Sequence, residues 1–221
     1  MRQMNLARIL LLLMRVLPKR YQLNPSKPVI QPFFILGSGR NGSTLLNMML
    51  NQHSKLFLPP EQYFLGNSII KYQIYNFILW RDLVKVIYGE MLNIGDSHKW
   101  NFSVNQVMMK AFHLEGDERN LQNLLDLLYR TYALETKNIG VRWGDSVPNN
   151  YPFTKEIFNC FPKGKYIFLI RDGRDVCAAY KKGGKEAFGE LSEVENSSDY
   201  WLNSIKKYNW LKKNQCTPGQ I

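Results

Sequence analysis

Three side chains in this chain have the chemistry to handle anions and protons. Arg40 lies within a glycine-rich run, Gly37-Ser38-Gly39-Arg40-Asn41-Gly42, after the apolar Phe33 to Leu36 and before Ser43-Thr44. Glycines let the backbone turn so that several N–H groups aim at one anion, and a helix opening next to them adds partial positive charge. Arg171 follows a second strand-like run, Lys165 to Ile170. A guanidinium there can hold a phosphate through two parallel N–H bonds. Glu61 is the first acidic residue in the chain and follows Pro59-Pro60, which restrict its approach. It is either a base that takes a proton from an attacking group or a surface or helix-capping carboxylate.

The surrounding patterns say which elements position these groups. Strand, glycine loop and helix start is the layout of a phosphate-binding loop. The spacing Gly37-x4-Gly42-Ser43-Thr44 approaches the nucleotide triphosphatase pattern G-x4-G-K-[ST], with Ser43 in the lysine position and a cation earlier, at Arg40. That lysine reaches the terminal phosphates of ATP or GTP, so its replacement suggests a different phosphorylated ligand. Leu45, Met48 and Met49 follow with helical spacing on one side. At the second junction, Asp175 is placed to cap the helix that begins at Val176. Arg171 faces the crevice at the strand's C-terminal end, and Arg174 reads as a structural ion-pair partner. Residues Gln62 to Asn93 read as helical and aromatic-rich. Leu121, Leu124, Leu125, Leu128 and Tyr132 form a helical stripe facing the core. Lys181-Lys182-Gly183-Gly184-Lys185 reads as a mobile basic loop suited to gating the ligand, and Trp201 to Lys213 as a late helix.

Taken together, the two junctions resemble the sulfotransferase family that uses 3′-phosphoadenylyl sulfate. Gly39-Arg40-Asn41-Gly42-Ser43-Thr44-Leu45 is similar to its P-R-S-G-T-T-L segment, and Arg171-Asp172-Gly173-Arg174-Asp175-Val176 to its R-D-x-R-D-V segment. Leu58-Pro59-Pro60-Glu61 and Trp143-Gly144-Asp145-Ser146-Val147-Pro148 look like the P-P-E-T and W-G-D-K-T-P segments of the carboxylate-base branch, which includes tyrosylprotein and bacterial enzymes. The resemblance implies an α/β fold, a parallel sheet flanked by helices, related to P-loop nucleotide kinases. It implies that Arg40, Asn41, Gly42, Ser43 and Thr44 hold the 5′-phosphosulfate, that Arg171 holds the 3′-phosphate, and that Glu61 is the base. It implies sulfuryl transfer to a hydroxyl on a carbohydrate, peptide tyrosine or small molecule, without a metal. His113 is the rival base. Two residues depart from the pattern: Ala179 replaces a serine that serves the 3′-phosphate, and Ser146 replaces the lysine of D-K-T-P. A donor-binding relative without turnover and a P-loop nucleotide kinase are the alternatives. Relatives continue beyond the last helix, so the C-terminal part of the domain is expected to be missing.

The 221 residues fit one domain with a sizeable core, and 45% hydrophobic content is that of a globular chain. Residues 1–28 read as a basic amphipathic helix and linker, and residues 29–221 as the sulfotransferase domain. The net charge is +11, and the first 60 residues hold eight Lys or Arg and no acid. The run Ile9 to Met14 is too short to span a bilayer. The basic helix therefore either packs on the domain or lies on an anionic membrane surface. No nucleic-acid motif accompanies the charge. Cys160, Cys177 and Cys216 lack metal or disulfide spacing, which suggests reduced thiols and a cytoplasmic setting.

Overall fold

The computed structural model describes residues 17–25, 31–93, 100, 102–137, 142–214 and 219. The N-terminal helix expected before Leu17, the linker residues Ser26 to Pro28 and Cys216 lie outside them. Four strands form the sheet: β1 (Phe33–Leu36), β2 (Leu56–Phe57), β3 (Arg142–Asp145) and β4 (Lys165–Phe168). Their order is β2-β3-β1-β4, and every pairing is parallel. Parallel neighbours require crossover connections, and those here are helical. They are α1 (Ser43–Leu50), α2 (Leu65–Tyr75), α3 (Trp80–Leu92), α4 (Val104–Phe112), α5 (Leu121–Lys137) and α6 (Thr154–Cys160). After β4 come α7 (Gly173–Phe188) and α8 (Val194–Asn214). The expected α/β architecture with a helix-flanked parallel sheet is therefore present.

β1 is buried on both faces, as an unbroken apolar strand in a covered parallel sheet must be. Phe34 and Leu36 enter the larger core, with Trp143, Tyr166 and residues of α2 to α6. Phe33 and Ile35 pack on the other face with Leu58 and with Leu46 and Leu50 of α1. The expected stripe of α5 is buried and carries Tyr129, whose ring stacks on Trp143 at 4.0 Å. Trp143 Nε1 donates to Asp126 at 2.9 Å, which ties α5 to β3. Residues 19–23 run over the α2–α3 turn, where Asn76 accepts from Tyr21 N at 2.8 Å and Tyr21 meets the Trp80 ring edge-on.

Two local expectations, both in α7, are corrected. α1 forms where expected, with Leu45, Met48 and Met49 on one side, each 63–64% exposed. Leu46 and Leu50 are the residues that meet the sheet. The capping residue of α7 is Asp172, which accepts from Arg174 N at 2.8 Å, because the helix opens at Gly173 and leaves Asp175 in its first turn. Lys181 to Lys185 is not a loop: α7 runs through Gly183, breaks at Gly184 (φ +75°) and resumes to Phe188. Among the described residues no helix is long and apolar enough to cross a membrane.

Candidate functional site

β1 delivers the chain into a tightly constrained turn. The Tyr180 hydroxyl on α7 donates to the Ser38 carbonyl at 2.8 Å, and a Cβ on Gly39 would lie 2.6 Å from that hydroxyl. Gly39 also has φ +67°, so glycine is required there on both counts. Arg40 follows at φ +50°, the one non-glycine residue with positive φ among the described residues, at a backbone cost of about 1–3 kcal/mol. Its carbonyl accepts from Arg171 Nη1 at 3.1 Å, which helps hold the strained residue. Asn41 donates to the Leu169 carbonyl at 3.2 Å and accepts from Ser43 N at 3.2 Å, tying the loop to the end of β4 and to the start of α1. Left-handed residues interspersed in a turn make successive N–H groups converge, which favours an anion.

A cleft of about 620 Å³ opens over this loop. Arg40, Gly42, Ser43 and Thr44 line it, and so do Glu61 and Arg171. Asn41 is not among its lining residues, because its side chain is spent on clamping the loop. β1 and β4 are neighbours, so their C-terminal ends bring Arg40 and Arg171 to one crevice. Arg171 also approaches Asp175 at 3.5 Å, a long, exposed contact that an anionic ligand could outcompete. Arg174 is turned away from the crevice into an ion pair with Asp172 at 2.7 Å, in keeping with a structural role. That pairing and the backbone N–H of Arg174 hold the Asp172 carboxyl down at about 2.

Glu61 is carried on a segment with several anchors. Asn51 at the end of α1 donates to the Leu58 carbonyl at 2.8 Å and accepts from Leu58 N at 3.0 Å. It donates to Asn47 at 2.7 Å, and Asn47 donates to the Ser146 hydroxyl at 2.8 Å. Trp100 Nε1 donates to the Pro60 carbonyl at 2.8 Å. The Pro-Pro-Glu segment is thus fastened to α1 on one side and to Trp100 on the other. Ser146 is buried beneath this chain of amides, which explains why a short hydroxyl side chain fits there.

Asp145 lies at the base of the same region, 2% exposed. It accepts from the Tyr129 hydroxyl, from Val147 N at 3.0 Å and from Asn150 at 2.5 Å. Burial pushes its carboxyl up to about 6, against the pull of these bonds; the Glu61 charge adds to the rise. His113 is exposed at the end of α4, bonded to the Met109 carbonyl, and is not among the cleft's lining residues. Lys110 and Lys181 are likewise not among them. Among the described residues no three His, Cys, Asp or Glu side chains gather as a metal site.

A family profile described as the sulfotransferase family matches residues 32–221. The chain belongs to that family. A sulfotransferase domain from the curacin biosynthetic pathway shares the fold at 21% identity with a TM-score of 0.51. The match covers 87% of this chain and 65% of that one, so this chain spans less than two thirds of that structure. No curated protein sequence matches.

For this sulfotransferase-family chain, sequence reasoning missed the aromatic side of the cleft. Tyr180, Phe188 and Tyr200 line it, and the Arg40 guanidinium sits 5.3 Å from the Phe188 ring centre. Tyr180 meets Phe188 edge-on at 5.1 Å and Tyr200 at 6.1 Å. Burial pushes the Tyr180 hydroxyl up to about 12, so it remains a neutral donor to Ser38. The available signal was Tyr180 itself, two turns into the helix that the arginine motif opens. Ala179 precedes it, half-buried and not among the cleft's lining residues.

Proposed function

We propose that this chain transfers a sulfuryl group from 3′-phosphoadenylyl sulfate to an acceptor hydroxyl, in the manner of the carboxylate-base branch. The observation that carries the reading is the convergence of Arg40, Arg171 and Glu61 on one cleft at the mouth of the glycine loop. The residues fit such a donor. The loop offers the N–H groups of Gly42 and Thr44 at a helix start, while that of Ser43 is bonded to Asn41, and Arg40 supplies charge for the 5′-phosphosulfate. Arg171 has guanidinium donors beyond its two contacts, suited to a 3′-phosphate. Phe188 and Tyr200 offer flat faces of the kind that hold a nucleobase.

The donor supplies an electrophilic sulfur with a phosphate leaving group. Glu61 takes the proton of the acceptor O–H as that oxygen bonds to sulfur, and the bond from sulfur to the 5′-phosphate oxygen breaks. Arg40 and the loop N–H groups balance the charge left on that oxygen. The products are the sulfate ester, adenosine 3′,5′-bisphosphate and a proton on Glu61. The buried thiols Cys160 and Cys177 suit a reducing, cytoplasmic setting, and the basic composition of the sequence before Leu17 suits an anionic membrane surface.

Calorimetry with adenosine 3′,5′-bisphosphate tests the donor site, and radiolabelled sulfate transfer tests turnover. Magnesium-independent binding that Arg171→Ala weakens at least tenfold is expected. Glu61→Gln is expected to keep that binding and lose at least a hundredfold in kcat. Binding without transfer to any acceptor would instead identify a donor-binding relative, the reading suggested by Ser146 and Ala179. Magnesium-dependent ATP turnover without bisphosphate binding would refute the proposal.

A further inference from the structure

Arg171 stands between two regular elements and belongs to neither. β4 ends at Phe168, a bond from Leu169 N to the Leu36 carbonyl at 2.9 Å extends the ladder by one residue, and α7 begins at Gly173. The Arg171 carbonyl is taken up by a third element: Trp201 Nε1 on α8 donates to it at 3.0 Å. The same indole lies against Gly173, where a Cβ would stand 3.0–3.2 Å from three of its ring atoms. Gly173 is not among the glycines with positive φ, so the ring, and not the backbone conformation, asks for glycine there. Trp201 is half-buried, belongs to neither hydrophobic core and borders an open groove of about 660 Å³ between α7 and α8. α8 is secured farther along, where Tyr208 meets Phe168 and Trp210 meets Phe158. The indole is therefore not what seats the helix.

From this arrangement we infer that Trp201 is a positioning residue for Arg171: its indole pins the backbone from Arg171 to Gly173 and so sets where the guanidinium stands in the donor cleft. The inference rests on the sulfotransfer reading for what Arg171 holds there, the 3′-phosphate. The side-chain contacts of Arg171, to the Arg40 carbonyl at 3.1 Å and to Asp175 at 3.5 Å, are both exposed, so water competes with them and they hold the guanidinium loosely by themselves. A fork that grips a phosphate through two parallel bonds needs its donors closely placed, and a backbone fixed at the carbonyl narrows the positions the side chain can take. Tyr200, one residue before Trp201, lines the cleft itself. A general disturbance of α8 would reach a nucleotide through Tyr200 whether or not it carries a 3′-phosphate. A loss that runs through Arg171 concerns the 3′-phosphate alone.

The test is calorimetry on the full chain, comparing adenosine 3′,5′-bisphosphate with adenosine 5′-monophosphate. Trp201→Phe keeps an aromatic ring and removes the N–H donor, whereas Gly173→Ala keeps both residues and displaces the indole. Each is expected to weaken the bisphosphate about five- to tenfold, the worth of one hydrogen bond or a little more, and the monophosphate by less than about twofold. In an Arg171→Ala background Trp201→Phe should cause no further loss, because residues that act through one another are not additive. Unchanged bisphosphate affinity, an equal loss for both nucleotides, or losses that add to that of Arg171→Ala would overturn the inference. If the parent chain binds both nucleotides equally, or neither, the sulfotransfer reading fails, and thermal denaturation of the same variants decides the positioning role. The Tm shifts of Trp201→Phe and Arg171→Ala should then be non-additive, since the bond to the Arg40 carbonyl is lost with either; additive shifts would overturn the inference.

Discussion

Replacing Asn51 by alanine removes the clamp on the segment that carries Glu61. Three hydrogen bonds go with the side chain, two to Leu58 and one to Asn47. Leu58 is buried, so its N–H and carbonyl lose partners where water cannot easily replace them. At about 1 kcal/mol per bond, with a further penalty for the stranded backbone groups, the cost comes to about 3–4 kcal/mol. For a chain of this size that lowers Tm by roughly 6–16 °C, at about 2–4 °C per kcal/mol. The functional effect should exceed the structural one near the base. Displacing Glu61 by about 1 Å is enough for a hundredfold fall in kcat. Asn51 does not line the donor cleft, so adenosine 3′,5′-bisphosphate should bind Asn51→Ala as it binds the parent chain. Asn51→Asp, which keeps the oxygen that accepts from Leu58 N, should fall between the two. The assay is thermal denaturation paired with initial rates on one acceptor, below the lowered Tm. A folded Asn51→Ala with kcat within twofold of the parent would refute the positioning argument. So would a loss of bisphosphate affinity equal to the loss in kcat.

Two further outcomes follow from buried or strained groups. The Asp145 carboxyl is raised to about 6 by burial, against about 4 in an unfolded chain, so between those values the folded state holds more protons. Its contribution to stability is fully present below about pH 4 and is lost as pH rises through about 6, by about 3 kcal/mol in all. The stability advantage of the parent chain over Asp145→Asn, measured by denaturant titration, should shrink by about 2 kcal/mol from pH 4 to 6; a constant or widening difference would contradict it. Gly39→Ala places a Cβ against the Tyr180 hydroxyl at a left-handed position, at a cost of at least 1–2 kcal/mol. It should weaken bisphosphate binding tenfold or more, and calorimetry showing full affinity would mean that the loop conformation is not required.

The parts of the molecule that sequence foretold are those in which neighbouring residues determine the outcome. Phe33 to Leu36 can only be buried, and the glycines after them can only turn, so strand, loop and helix were readable together. Arg171 was readable because it stands at the end of the apolar run that contains β4, three residues past the strand. Asn47 and Asn51 were not, since amides four apart on a helix look like solvent-facing positions and their partners, Ser146 and Leu58, lie on other segments. Periodicity placed Leu45, Met48 and Met49 on one side of α1 but did not say which side meets the sheet; Leu46 and Leu50 do, and only the tertiary arrangement decides which stripe is covered. Asp172 and Asp175 compete for the cap within three residues, and where α7 starts decides between them. The paired glycines at 183 and 184 suggested a loop, yet Gly183 lies within the helix where a Cβ would collide with Phe188, and only Gly184 breaks it.

The central place of β1 has a consequence for how the chain matures. Its neighbours in the sheet, β3 and β4, come late in the sequence, and the bonds that brace the glycine loop join residues 128 and 131 positions apart. Contacts of such separation form slowly, because a long stretch of chain must be closed before they yield any stabilisation. During synthesis the loop therefore leaves the ribosome well before Leu169 and Arg171, and remains unbraced until they arrive. A ligand held by Arg40 and Arg171 would bridge that late closure, adding its own binding energy to the last assembled part of the domain. The cleft is thus the seam along which the early and late parts of the chain are joined.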